Sequence, residues 1–232
     1  MELFNAPHSR PYARLTGILY LSIAVFGAFA IAYVPSEIIV AGDPAATLDN
    51  ITARSALYRS GIAADVLVMG LEVMVLSLLY FMFKPVSPAL SFAAATARFA
   101  MVGVMAAMLF FHAGADAIAQ GEALSQFTPA QRAEIVDLLL QMHKAGVWIW
   151  QVFFTLHLAL LGWLVLRSNR FPRLLGLGLM IGSAGYLLDS IFSFAFPEAA
   201  ALGAIRVGFL VIVSLSEIGF ALWLTIAGPR GR

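Results

Sequence analysis

Four ionisable side chains stand in the middle of otherwise apolar stretches: Glu72, Arg98, His157 and Glu217. A charge in the hydrocarbon region costs at least about 2.5–3.5 kcal/mol on insertion scales, so each of them needs a partner or a purpose. Counted from the end of its apolar stretch, Glu72 is 11 residues from Phe83, Arg98 is 10 from Pro88, His157 is 9 from Leu166 and Glu217 is 10 from Ala227. At about 1.5 Å per residue all four fall near a depth of about 15 Å, the midplane of a bilayer. Two carboxylates against one guanidinium leave one negative charge, unless His157 is protonated or one glutamate is neutral. Such a coupled group titrates as a unit and is able to hold or relay a proton, or to line a cavity for a small ligand with a cationic or hydrogen-bonding head. The contrasting reading is a structural knot, in which Arg98 neutralises Glu72 or Glu217 and pins the helices in register. Arg98 argues against a divalent metal at this level, because it adds positive charge beside the cation.

A second set follows from helical phase, since residues 7 or 14 apart lie on nearly the same face. Asp65 shares a face with Glu72, His112 with Arg98, and His143 with His157. The last two spacings are equal and run on antiparallel helices, so level pairing of Arg98 with His157 brings His112 level with His143, about 21 Å further out. Asp116 follows His112 by one turn, while Asp65 and Asp189 fall at about 27 and 22 Å from the inner ends. His112, Asp116 and His143, with Asp65 or Asp189 as further oxygen ligands, match a zinc or other divalent transition-metal site. With a coordination position left for water, that site would support a metal-dependent hydrolase acting on a lipid-like substrate. The same histidine pair suits bis-histidine haem. The plainer reading is a set of wet, hydrogen-bonded residues at the membrane surface, and Lys144 beside His143 is unfavourable for a cation. The candidate ligand- or proton-binding set is thus Glu72, Arg98, His157, Glu217, Asp65 and Asp189.

The elements that must position these residues are legible in the composition. Of 232 residues, 61% are hydrophobic and only 12% are charged, a balance that marks a membrane protein rather than a water-soluble domain. With 14 Lys and Arg against 13 Asp and Glu, the net charge of +1 offers no basic field to nucleic acid. The absence of cysteine excludes disulfides, thiolate metal sites and cysteine nucleophiles. Six stretches are long enough to cross about 30 Å of hydrocarbon: residues 15–34, 60–83, 88–118, 136–166, 174–196 and 205–227. Pro35, the Lys84–Pro88 turn, Gly121, the Asn169–Pro172 turn, Pro197 and Pro229 punctuate them. Thr128-Pro129-Ala130-Gln131 predicts a capped helix start that runs on into the fourth span, to Arg167, bending near Gly146 or projecting outward.

The fold expected is an all-α, polytopic six-transmembrane-helix bundle, a single integral membrane domain over residues 1–232. Lys and Arg count eight on one side (Arg10, Arg14, Lys84, Arg167, Arg170, Arg173, Arg230 and Arg232) and four on the other (Arg54, Arg59, Arg132 and Arg206). The richer side is the cytoplasmic one, so both termini are expected there.

The run Ala13-Arg14-Leu15-Thr16-Gly17-Ile18-Leu19-Tyr20-Leu21, the end of the fourth span Gly162-Trp163-Leu164-Val165-Leu166-Arg167-Ser168, Pro172-Arg173-Leu174-Leu175-Gly176, and Gly185-Tyr186-Leu187-Leu188-Asp189 are the most distinctive segments. With them the chain resembles, over nearly its whole length, an uncharacterised family of small bacterial multi-spanning proteins, known as a domain of unknown function. The resemblance implies a bacterial inner-membrane location with lipid as the surrounding partner, and it carries no catalytic residue across. The function expected is binding or movement of a small ligand or a proton through the midplane cluster. The metal-dependent hydrolase, and a structural or regulatory protein with no ligand, are the alternatives.

Overall fold

The computed structural model describes residues 2–230; Arg232, counted above among the cytoplasmic charges, lies outside them. Six helices are long and apolar enough to span a membrane: α1 (Arg10–Ile38), α3 (Ser55–Phe83), α4 (Pro88–Ala119), α5 (Pro129–Ser168), α6 (Arg173–Ala195) and α7 (Ala200–Ile226). A short helix, α2 (Pro44–Ala53), lies between α1 and α3. No strand occurs among the described residues. The helices present large apolar side chains outward: Phe110 is 77% exposed, Leu174 78% and Ile226 73%. Only hydrocarbon receives such a surface without cost, and the chain is a multi-pass helical membrane protein.

Local chemistry sets the helix ends. The Asp43 carboxylate accepts from the Ala46 N–H at 2.9 Å and starts α2. Thr128 and Gln131 form the reciprocal capping box expected for α5, with Gln131 N–H donating to Thr128 Oγ1 at 3.3 Å and Thr128 N–H to Gln131 Oε1 at 3.0 Å. Gly121, at φ +76°, turns the chain after α4 in the left-handed region that glycine adopts freely. One sequence expectation is corrected. Pro35 does not end the first span, because α1 continues through it to Ile38. The segment Ala28–Tyr33 just before it is wound as a π-helix, and that wider register accommodates a residue with no N–H to donate. The fifth span lies where the sequence places it, and within it Arg173–Gly182 and Ala184–Ala195 are separate α-helical segments meeting at Ser183.

The chain divides into two compact units, with α1, α3, α4 and α5 each contributing one part to either. One unit takes the chain up to Ser22, Leu71–Val102 and everything from Trp148 onward. Its interior is built on Leu78, Phe83, Leu158, Leu161, Leu179 and Phe220, all nearly inaccessible. The other takes Ile23–Gly70 and Gly103–Val147, around Val34, Ile38, Ile51, Tyr58, Ala115 and Val136. Gly146, the expected bend position, is packed against Met108, and the division between the units falls one residue beyond it.

Glycine sets the closest approaches of the first unit. A Cβ at Gly162 of α5 would lie 2.6 Å from the Gly176 carbonyl oxygen of α6, and one at Gly182 would lie 2.7 Å from the Val213 backbone nitrogen of α7. Small residues at such positions let backbones meet where lipid supplies no hydrophobic push between helices. Gly182→Ala must therefore displace backbone, at a cost of about 1–3 kcal/mol for overpacking. Gly70→Ala, with nothing within 4 Å of the added carbon, serves as its neutral counterpart. Thermal unfolding of the two variants in detergent is expected to show a lowered midpoint for the first and an unchanged or raised one for the second.

Candidate functional site

Each of the six spanning helices sends one polar side chain into a single network within the first unit. Tyr20 comes from α1, Glu72 from α3, Arg98 from α4, His157 from α5, Tyr186 from α6 and Glu217 from α7. Arg98 is the hub and is 0% exposed. Its Nε is ion-paired with Glu72 Oε2, and its Nη1 donates to His157 Nε2 at 3.0 Å. The guanidinium carbon lies 4.7 Å from the centre of the Tyr20 ring and 5.6 Å from that of Phe154. Two aromatic faces thus replace water around the cation. Its third nitrogen, Nη2, has no hydrogen-bond partner among the described residues.

The tautomer of His157 follows from its neighbours. Nδ1 lies 2.9 Å from the Ala94 carbonyl oxygen, which only accepts, so Nδ1 carries the hydrogen. Nε2 faces a guanidinium nitrogen that only donates, so Nε2 is bare and the ring is neutral. Arg98 and Glu72 cancel each other. Glu217 is held differently: Tyr20 O–H donates to Oε1 at 2.8 Å and Tyr186 O–H to Oε2 at 3.1 Å. It forms no ion pair among the described residues. An ionised Glu217 is therefore the one charge in the network that no paired cation balances.

The four midplane residues named from the sequence all belong to this network, with Glu72 rather than Glu217 as the partner of Arg98. The two tyrosines were missed. Both lie in segments singled out for their distinctive pattern, Tyr20 after Gly17 and Tyr186 after Gly185, but a tyrosine in a span carries no charge to draw notice. Asp189 stands apart from this cluster. It is ion-paired with Arg206 of α7, whose guanidinium carbon packs 4.0 Å from the centre of the Phe192 ring.

The remaining candidates lie in the second unit. The rings of His112 and His143 meet with centres 3.9 Å apart, and Tyr58 O–H and His112 Nδ1 are 2.6 Å apart. Asp116 is turned to Arg59, at 2.8 Å from Nε, and also accepts from Gln120 Nε2 at 3.4 Å. Among the described residues no three His, Asp or Glu groups converge as ligands for one metal ion. Asp65, partly buried, has no hydrogen-bond or ion-pair partner among the described residues. It lines a cavity of about 20 Å³ together with Tyr58 and His112.

An uncharacterised protein of Archaeoglobus fulgidus is 35% identical over 79 residues, which is 34% of this chain and 44% of that protein. The chain therefore spans less than half the length of that relative. No solved structure matches it. The family model described as "Domain of unknown function (DUF4386)" matches residues 15–228, which takes in all or most of each of the six spans, and the chain belongs to that family.

Proposed function

We propose that this chain is a proton-binding protein of the bacterial inner membrane, with both termini cytoplasmic, in which Glu217 takes up and releases the proton. The carrying observation is the charge balance of the buried network. Arg98 is matched by Glu72, His157 is held neutral by its two neighbours, and Glu217 is left with two phenolic hydroxyls and no paired cation among the described residues. In a medium that penalises an unbalanced charge, a carboxylate so placed gains most from a proton. Tyr20 and Tyr186 suit the exchange, because a hydroxyl turns from donor to acceptor when the carboxyl acquires a hydrogen of its own. A cavity that reaches the network at His157 measures about 10 Å³, at the lower limit for a single water.

The two glutamates are thereby given different duties, and two measurements separate them. Glu72→Gln strands a buried guanidinium and is expected to cost about 3–5 kcal/mol, read as a large drop in the thermal midpoint. Glu217→Gln keeps a neutral, hydrogen-bonding group between the tyrosines, so its midpoint stays near that of the unchanged protein. Infrared difference spectra across a pH change, taken in the Asp65→Asn background so that Asp65 contributes nothing, should show a protonated-carboxyl band that vanishes when Glu217→Gln is added. A band that this addition leaves undiminished sinks the assignment, whatever the stability data say.

A further inference from the structure

The π-helical segment of α1 creates a second site, independent of Glu217. In that register the Val34 N–H donates to the Phe29 carbonyl, five residues back. The next donor in sequence, which would serve the Ala30 carbonyl, is Pro35, and proline has none. Ala30 and Pro35 both line the cavity of about 20 Å³ that Asp65 lines from α3. Ala30, whose carbonyl is deprived of its helical donor, and Asp65, whose carboxylate has no partner among the described residues, thus border one small space, with Tyr58 and His112 also in its lining. The rest of the lining is apolar: Val34, Ile38, Ile39, Gly61 and Ile62.

We infer that this space binds a monovalent alkali cation of the sodium type. Carboxylate and carbonyl oxygens are hard ligands, which suit hard cations. A carbonyl freed by a break in helical winding is the element with which membrane proteins take a sodium ion out of water. The charge count selects monovalence. Asp65 brings one negative charge, and the nearby Asp116 is engaged by Arg59, whereas divalent ions gather more carboxylate. Tyr58 lies against the cavity from the same helix, and His112 comes from α4 with His143 of α5 packed behind it. These are the titratable groups facing the site, and protons compete with the cation for Asp65.

The test is equilibrium binding of radioactive sodium to the full-length protein in detergent, with choline as the balancing cation. Saturable uptake near one ion per chain is expected, and it should be lost in Asp65→Asn. Pro35→Ala supplies the missing N–H and should weaken binding by about tenfold or more, equivalent to about 1.4 kcal/mol. Glu217→Gln should bind as the wild-type protein does, which keeps this site distinct from the proton site. Absence of saturable uptake by the wild-type protein overturns the inference. So does uptake that Pro35→Ala leaves unchanged, a comparison that stands even if Asp65→Asn fails to fold.

Discussion

A guanidinium with no access to solvent, deep among membrane helices, is the constraint around which the first unit is arranged. Arg98 cannot lose its proton, so its surroundings have to supply everything water would. Glu72 brings the opposite charge, His157 a bare nitrogen, and Tyr20 and Phe154 their ring faces. Each comes from a helix whose register is then no longer free. Sliding α3 or α5 by one residue would rotate Glu72 or His157 away by about 100° and leave the cation stranded.

The two glutamates of one network sit in different surroundings. Two identical carboxyl groups enter it, one on a guanidinium and one between two phenols. The first is ion-paired with Arg98, and the second has no ion-pair partner among the described residues. Asymmetry of this kind is how an acid and a spectator are distinguished where two carboxyl groups share one neighbourhood. The aromatic cluster beside it serves the same end. Trp150 and Phe154 pack against Tyr186 with ring centres 6.3 and 5.1 Å away, so the tyrosine that holds Glu217 is itself held.

Most of the fold could be read from the chain, because the requirement for about 20 apolar residues per span is severe and the exceptions are conspicuous. Glu72, Arg98, His157 and Glu217 were visible as anomalies against Leu, Val, Phe and Ala, and counting residues placed them at one depth. The equal 14-residue spacings on α4 and α5 were also informative, since Arg98 does meet His157 and His112 does meet His143. Other features left no trace in type or spacing. Tyr20 and Tyr186 are ordinary residues for a span, and their hydroxyls matter only because Glu217 lies between them. Pro35 was read as a stop because proline usually breaks a helix. That the preceding turn would widen to absorb it depends on packing. Asp116, one turn from His112, reads as a ligand by its spacing, and its ion pair with Arg59, on a different helix, left no mark in the sequence.

The order of the spans along the chain also bears on biogenesis. Helices leave the ribosome from the N-terminus onward, so α3, with Glu72, reaches the bilayer before α4 brings Arg98. The most expensive charge of the protein thus arrives to find its counter-ion already present, and the two adjacent helices can enter as a neutralised hairpin. Glu217, on α7, comes when Tyr20 and Tyr186 are both in place. Exchanging the positions of Glu72 and Arg98 would preserve the mature ion pair but would put the guanidinium into lipid first, with nothing to meet it.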